Sequence, residues 1–143
     1  MRRDTLDTLE RMFQESPVMC AGGVDRTEVD TLQSQIGFEL PLDYREFLEK
    51  FGGAIVGPYS VYGLRASEAM GDDESSAMKV TERFRADGWP GTDSWLVVSI
   101  DHSGNPVGLD RDGKIWISDH DAGALQVLTS TFEDYLRKWC LNL

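Results

Sequence analysis

Cysteine is scarce in this chain. There are two, Cys20 and Cys140, far apart, with no CxxC and no Cys/His spacing that would build a zinc site. Such sparing use implies reduced thiols and a cytoplasmic compartment, and leaves a Cys20–Cys140 disulfide open. Uninterrupted apolar runs are also missing. No segment approaches the ~18 residues of a membrane helix. The basic start, Met1-Arg2-Arg3, meets Asp4, Asp7 and Glu10 where a secretory signal would place its apolar stretch, so no such signal is expected. Positive charge is short as well: 14 Lys and Arg stand against 25 Asp and Glu, a net charge of −11. A protein that grips a phosphate backbone needs a positive footprint, so direct nucleic-acid binding is excluded, and an anionic membrane surface is disfavoured. Two readings of the acidity remain open: solubility alone, or a basic partner.

What the chain does contain is enough for one domain over residues 1–143. Apolar residues make up 41% and aromatics 10%. A chain of this length buries about 68–70% of its unfolded surface, a real core without staples. The order of periodicities is helices, a run of strands, then a helix, which is α+β. Asp4 to Glu15 places Leu6, Leu9, Met12 and Phe13 at helical spacing, with Asp4 or Thr5 as cap. A second helix runs from about Asp25 to Ile36 and stops at Gly37. Pro41 to Phe51 is the clearest helix, with Tyr44, Phe47, Leu48 and Phe51 at i, i+3, i+4, i+7 and Gly52-Gly53 as its stop. Ala54 to Leu64 reads as one or two short strands broken at Gly57-Pro58. Ala66 to Met70 reads as a helical turn, Gly71 to Ser76 as an exposed loop, and Ala77 to Asp87 as a helix anchored by Met78 and Phe84.

The second half reads as hairpins. Trp95 to Ile100, Val107 to Leu109, Lys114 to Ser118 and Leu125 to Leu128 are strands. Between them lie Asp101-His102-Ser103-Gly104-Asn105-Pro106, Asp110-Arg111-Asp112-Gly113 and Asp119 to Gly123, turn segments by composition. An antiparallel meander follows, flanked by helices. A capping box, Ser130 with Glu133, opens the last helix, whose apolar stripe is Phe132, Tyr135, Leu136 and Trp139. This helix is expected to pack on the sheet.

Motifs for catalysis are weak. Ser76-Ala77-Met78-Lys79 fits S-x-x-K without its companion motifs. Asp110-x-Asp112-Gly113 starts like a calcium loop, but Lys114 and Ile115 stand where ligand and glycine belong. Asp101-His102 and Asp119-His120-Asp121 bring each histidine beside a carboxylate. They form an acid/base or metal pair if the turns meet, and are ordinary turn residues otherwise. No cofactor or metal is expected, and no first-rank catalytic motif is present. Trp116 points away from Ile115 and Ile117. It either packs under a helix or stands as an interface anchor.

The order of these segments resembles the SUKH superfamily, in the branch of the yeast cell-wall-synthesis regulators and their bacterial homologues. Leu40-Pro41-Leu42-Asp43-Tyr44-Arg45-Glu46-Phe47-Leu48 followed by Phe51-Gly52-Gly53 is similar to its L-P-x-D-Y-x-x-F-L…x-G-G signature. Trp95 to Ile100, then Asp101 to Asn105 with Gly104, then Gly108-Leu109-Asp110, then Trp116 to Asp121 with His120, resemble its later motifs. Ser130 to Leu136 resembles its closing S-F-x-x-F-L helix, with Thr131 as an extra residue and Tyr135 in place of Phe. The likeness covers roughly 25–141. It implies an α+β domain without enzymatic activity. It implies an immunity protein that binds and neutralises a cognate protein toxin of a polymorphic toxin system, with a nuclease as the leading expectation. The alternative it carries is a regulatory interaction module with no toxin partner. Pro41, Asp43, Tyr44, Phe47, Leu48, Gly53, Trp95, Gly104, His120 and Phe132 are then fold-maintaining motif residues. Asp101, Asp110, Asp112, Trp116, Asp119 and Asp121 are the candidate partner contacts, because an acidic surface suits a basic nuclease cleft.

Overall fold

The computed structural model describes residues 1–71 and 76–143. The middle of the loop expected at Gly71 to Ser76 lies outside the described residues. The chain runs through α1 (Arg3–Glu15), α2 (Arg26–Ile36), α3 (Leu42–Phe51), β1 (Ala54–Val56), β2 (Tyr59–Val61), α4 (Ala77–Ala86), β3 (Leu96–Ile100), β4 (Pro106–Leu109), β5 (Ile115–Asp119), β6 (Ala124–Thr129) and α5 (Phe132–Tyr135). The last helix continues as a π-helix over Leu136–Cys140. The six strands form one sheet in the order β1-β2-β3-β4-β5-β6, every pair antiparallel. This is an α+β fold built on a meander. No helix among the described residues is long and apolar enough to cross a membrane.

Periodicity explains most of these elements. The buried positions of α3 are Tyr44, Phe47, Leu48 and Phe51. That stripe meets Phe13 of α1 and Phe132 of α5 edge-on, with Phe13–Phe51 at 5.2 Å and Tyr44–Phe132 at 4.9 Å between ring centroids. The core draws fully buried apolar residues from every helix and from β1 to β5, whereas β6 adds only the half-buried Leu128. Helix α4 covers an edge inside the sheet. β2 pairs with β3 at Val61–Ser99, the Tyr62 N–H then donates to the Val98 carbonyl at 2.8 Å, and beyond that point the Val97 N–H donates to Thr81 Oγ1 of α4 at 2.7 Å. A buried amide is thus satisfied where the neighbouring strand ends.

Three terminal details depart from local reading. Helix α1 starts at Arg3 and has no side-chain cap, so neither Asp4 nor Thr5 caps it. The Arg2 N–H is taken instead by Glu133 Oε2, at 2.7 Å from across the fold. Glu133 therefore does not close a box with Ser130. Thr131 caps α5 through the Asp134 N–H at 3.0 Å, so the residue that looks inserted is the cap. The stripe of the last helix also changes. Its buried positions are Phe132, Tyr135, Leu136 and Cys140, while Trp139 is 46% exposed. A widened turn, closed by Leu141 N–H on the Leu136 carbonyl at 2.8 Å, shifts the inward face by one residue.

Both cysteines are free thiols. Burial pushes the Cys140 thiol up to about 12 and raises Cys20 as well. Thiolate is the reactive form, so Ellman's reagent at about pH 8 should leave Cys140 unmodified in the native protein. Both thiols should titrate after unfolding. Prompt modification of native Cys140 would contradict this packing.

Candidate functional site

The three hairpin turns use one device. Asp101 Oδ1 accepts the N–H groups of Ser103 and Asn105, both at 2.9 Å. Asp110 Oδ1 accepts those of Asp112 (2.8 Å) and Lys114 (3.0 Å), and Asp119 Oδ1 those of Asp121 (2.9 Å) and Ala122 (3.2 Å). An aspartate that bonds the backbone two residues on is a turn-former by its own side chain. Gly104 closes the first turn by donating to the Asp101 carbonyl at 3.1 Å. Asp112 and Asp121, in contrast, are exposed.

The meander divides these turns between two ends of the sheet. Asp101 to Asn105 and Asp119 to Gly123 share one end, and Asp110 to Lys114 lies at the other. The candidate aspartates are therefore not gathered into one site. Asn105, only 2% exposed, ties the Asp101 and Asp119 turns together. Its Nδ2 donates to Asp101 Oδ2 at 3.0 Å, and its Oδ1 accepts the His120 N–H at 3.1 Å and faces His120 Nδ1. An amide oxygen at Nδ1 requires the proton there, which leaves Nε2 facing Asp121 Oδ1 at 3.3 Å. His120 also meets Trp89 edge-on at 5.6 Å, while His102 meets Tyr59 at 4.8 Å. Ligand-type atoms of Asp119, His120 and Asp121 lie within 4.8 Å of one another. Turn closure already uses Asp119 Oδ1, and Asn105 occupies His120 Nδ1.

The outer sheet face carries a different chemistry. Trp95 lies across Gly108, where a Cβ would come within 2.4 Å of its ring. Only glycine admits that approach. Trp116, paired with Gly108 on the next strand, stacks on Trp95 at 6.2 Å and 22°. Its Nε1 donates to Asp110 Oδ2 at 2.8 Å. Trp116 is thus neither under a helix nor wholly exposed, being half-buried against a second tryptophan. Val127 of β6 sits opposite Trp116 and Leu125 two residues before it, 48% and 43% exposed. The loop after α4 forms the other wall. Arg85 fixes it by donating to the carbonyls of Thr92 (2.8 Å), Asp93 (3.3 Å) and Trp95 (3.0 Å). Trp95, Trp116 and Leu125 line one hollow, and Trp89, His120 and Leu125 the next. Leu125 joins the two into one groove running toward the Asp119–Asp121 turn.

Ion pairs tie the helical layer together: Arg45–Asp30, Arg65–Glu28 and Arg137–Asp4 lie at 3.0–3.1 Å, with Arg26–Glu49 at 3.5 Å. Between Asp87 and Leu128 the sequence carries seven aspartates against one arginine and one lysine. Both of those cations, Arg111 and Lys114, belong to the turn of Asp110 and Asp112. The opposite end, with Asp101, Asp119 and Asp121, has no lysine or arginine in its turns.

The remaining motif residues hold the frame. Pro41 precedes α3 as its N-cap, and Asp43 joins α3 to α5. Asp43 Oδ1 accepts the Tyr44 N–H at 2.8 Å and Oδ2 the Glu133 N–H at 2.9 Å. Burial raises its carboxyl above the ordinary range despite those two donors. Tyr44 is fully buried and donates to the Tyr62 carbonyl at 2.9 Å, and its phenol is pushed up by that burial. Phe47, Leu48 and Phe132 belong to the core, and the Gly53 carbonyl accepts the Ala21 N–H at 2.9 Å. Leu125 and Trp89 line the groove and Arg85 braces its wall, and no sequence motif marks any of them. Strand alternation in Leu125-Gln126-Val127 was the available signal.

A solved structure with this architecture is the crystal structure of a protein from Pseudomonas syringae pv. tomato. It aligns with a TM-score of 0.74 at 14% identity, covering 99% of this chain and 100% of that one. At such identity the likeness is one of fold. No curated protein matches the sequence. The model of the SMI1 / KNR4 family (SUKH-1) matches residues 23–138, most of the chain. The chain therefore belongs to the SMI1 / KNR4 family (SUKH-1), a membership that supports a protein–protein interaction or immunity-type module.

Proposed function

We propose that this protein is a cytoplasmic, non-enzymatic immunity protein that binds a cognate toxin domain and blocks it. The toxin is a nuclease with a basic cleft. The observation that carries this reading is the aromatic groove on the outer sheet face, opening toward a turn whose charged side chains are aspartates. A nuclease holds a polyanion and so presents positive potential at its active site. Aspartates facing that potential speed encounter and fix the choice of partner. Residence on the toxin comes from a few buried anchors, for which the Trp116 ring and its apolar neighbours are suited. Asp101 and Asp119 contribute field while serving the turns, and Asp121 is the carboxylate best exposed for direct contact.

The test is co-expression and purification with the product of the neighbouring toxin gene, followed by binding kinetics over a range of salt. A one-to-one complex is expected. Its association rate should fall steeply with salt while the dissociation rate moves little. Replacing Asp121 by Asn should slow association about two- to threefold at low salt and change dissociation less. Absence of a complex at low salt, or an association rate indifferent to salt, would overturn the proposal.

A further inference from the structure

The two edges of the sheet are treated differently. β1 is three residues long, and its outer side is covered by the Cys20–Ala54 bridge and the Ala21–Gly53 hydrogen bond at 2.9 Å. β6 is six residues long and ends the sheet. Its sequence, Ala124-Leu125-Gln126-Val127-Leu128-Thr129, has no charge and no proline. Residues 124–127 are exposed on both faces of the strand. Edge strands are normally blunted by charge, proline, brevity or cover, because an open row of N–H and C=O groups pairs with any extended chain. Among the described residues β6 has none of these, and its register shift lies toward its far end, opposite Ile115 and Trp116.

We propose that β6 is a docking edge, on which an extended basic segment of the toxin pairs as a seventh strand. This deepens the immunity reading and rests on it. Main-chain hydrogen bonds along β6 supply affinity, and alternate side chains supply selection. On the outer face, apolar side chains of the segment extend the row formed by Val127, Leu125 and Trp116. A lysine or arginine at the end beside Ala124 meets Asp119 and Asp121, in a turn that carries no lysine or arginine. Charge also selects against a second copy of this chain, which would bring its own net charge of −11 to the edge.

Amide hydrogen exchange on the full chain tests this directly, with two probes. One is the toxin domain encoded beside the gene. The other is a synthetic peptide alternating lysine and valine, compared with one alternating glutamate and valine. Protection of residues 124–128 is expected with the toxin and with the lysine peptide, and not with the glutamate peptide. Val127→Lys and Leu125→Lys place charge on exposed positions of the edge. Each should weaken the toxin complex about tenfold, while Val18→Lys, at an exposed apolar site elsewhere, leaves it unchanged. A toxin that binds with β6 unprotected, or binds both lysine variants as tightly as the native protein, overturns strand addition and leaves the immunity reading standing. Protection by the lysine peptide with no toxin binding keeps the docking edge and removes the immunity reading. If neither probe protects β6, the edge is not a docking site. Protection that rises with the protein's own concentration would make the occupant a second copy and overturn the proposal.

Discussion

Gly52→Ala should cost about 3 kcal/mol or more, against about 1 kcal/mol for Gly37→Ala. The two glycines do the same local job, ending a helix at positive φ, 72° for Gly52 and 86° for Gly37. An L-residue pays about 1–2 kcal/mol for that conformation at either site. Their surroundings differ. A Cβ at Gly37 meets nothing within 4 Å, whereas one at Gly52 would sit 2.0 Å from the Gly22 carbonyl oxygen. That neighbour is backbone and cannot swing aside. Gly52 cannot withdraw either, because its own carbonyl accepts the N–H groups of Leu64 (2.8 Å) and Arg65 (3.1 Å). Next to it, a Cβ at Gly53 would lie 2.2 Å from the Arg65 carbonyl oxygen. Three stretches of chain, around Gly22, Gly52 and Leu64, therefore cross at backbone distance. Denaturant unfolding of the two variants measures the difference, and the Gly52 variant should melt about 10 °C lower than the native protein. Equal costs would mean that the crossing relaxes and that Gly52 is no more than a helix stop.

That crossing marks where sequence reading reaches its end. Gly52-Gly53 after Phe51 is legible as a stop, because the apolar stripe of α3 ends there. The approach of Gly22 and of residues 63–65 depends on how distant segments return, and no local pattern records it. The same division runs through the candidate site. Asp101, Asp110 and Asp119 are readable as turn-formers from their neighbours, and the structure supplies their amide partners. The meeting of the Asp101 and Asp119 turns follows from the antiparallel order of strands. Placing Asp110 and Asp112 at the far end of the sheet follows from the same order. The groove was not readable. Gly108 reads as an ordinary alternation partner of Val107 and Leu109, and its role is to admit the Trp95 ring. Leu125 and Val127 read only as residues of a last short strand, and their exposure comes from β6 being last in the sheet.

Phe132→Ala and Trp139→Ala should differ sharply, although a continuous α-helix would place both on one stripe. Phe132 is fully buried, with Tyr44 at 4.9 Å and Phe47 at 5.4 Å, both edge-on. Truncating it removes aromatic contacts from the centre of the core and leaves a cavity, a loss of about 3–5 kcal/mol. Near this chain length that lowers the melting temperature by about 10 °C or more. Trp139 stands seven residues later, where an ideal helix returns to the same face. The widened turn carries it past that face and brings Cys140 inward instead, so nearly half of the indole meets solvent. Trp139→Ala should therefore cost about 1 kcal/mol or less. A calorimetric comparison of the two variants reads the geometry of the last turn. Comparable losses would require Trp139 to be packed in the core and the turn to be α-helical, with Leu141 N–H returning to Arg137 rather than to Leu136.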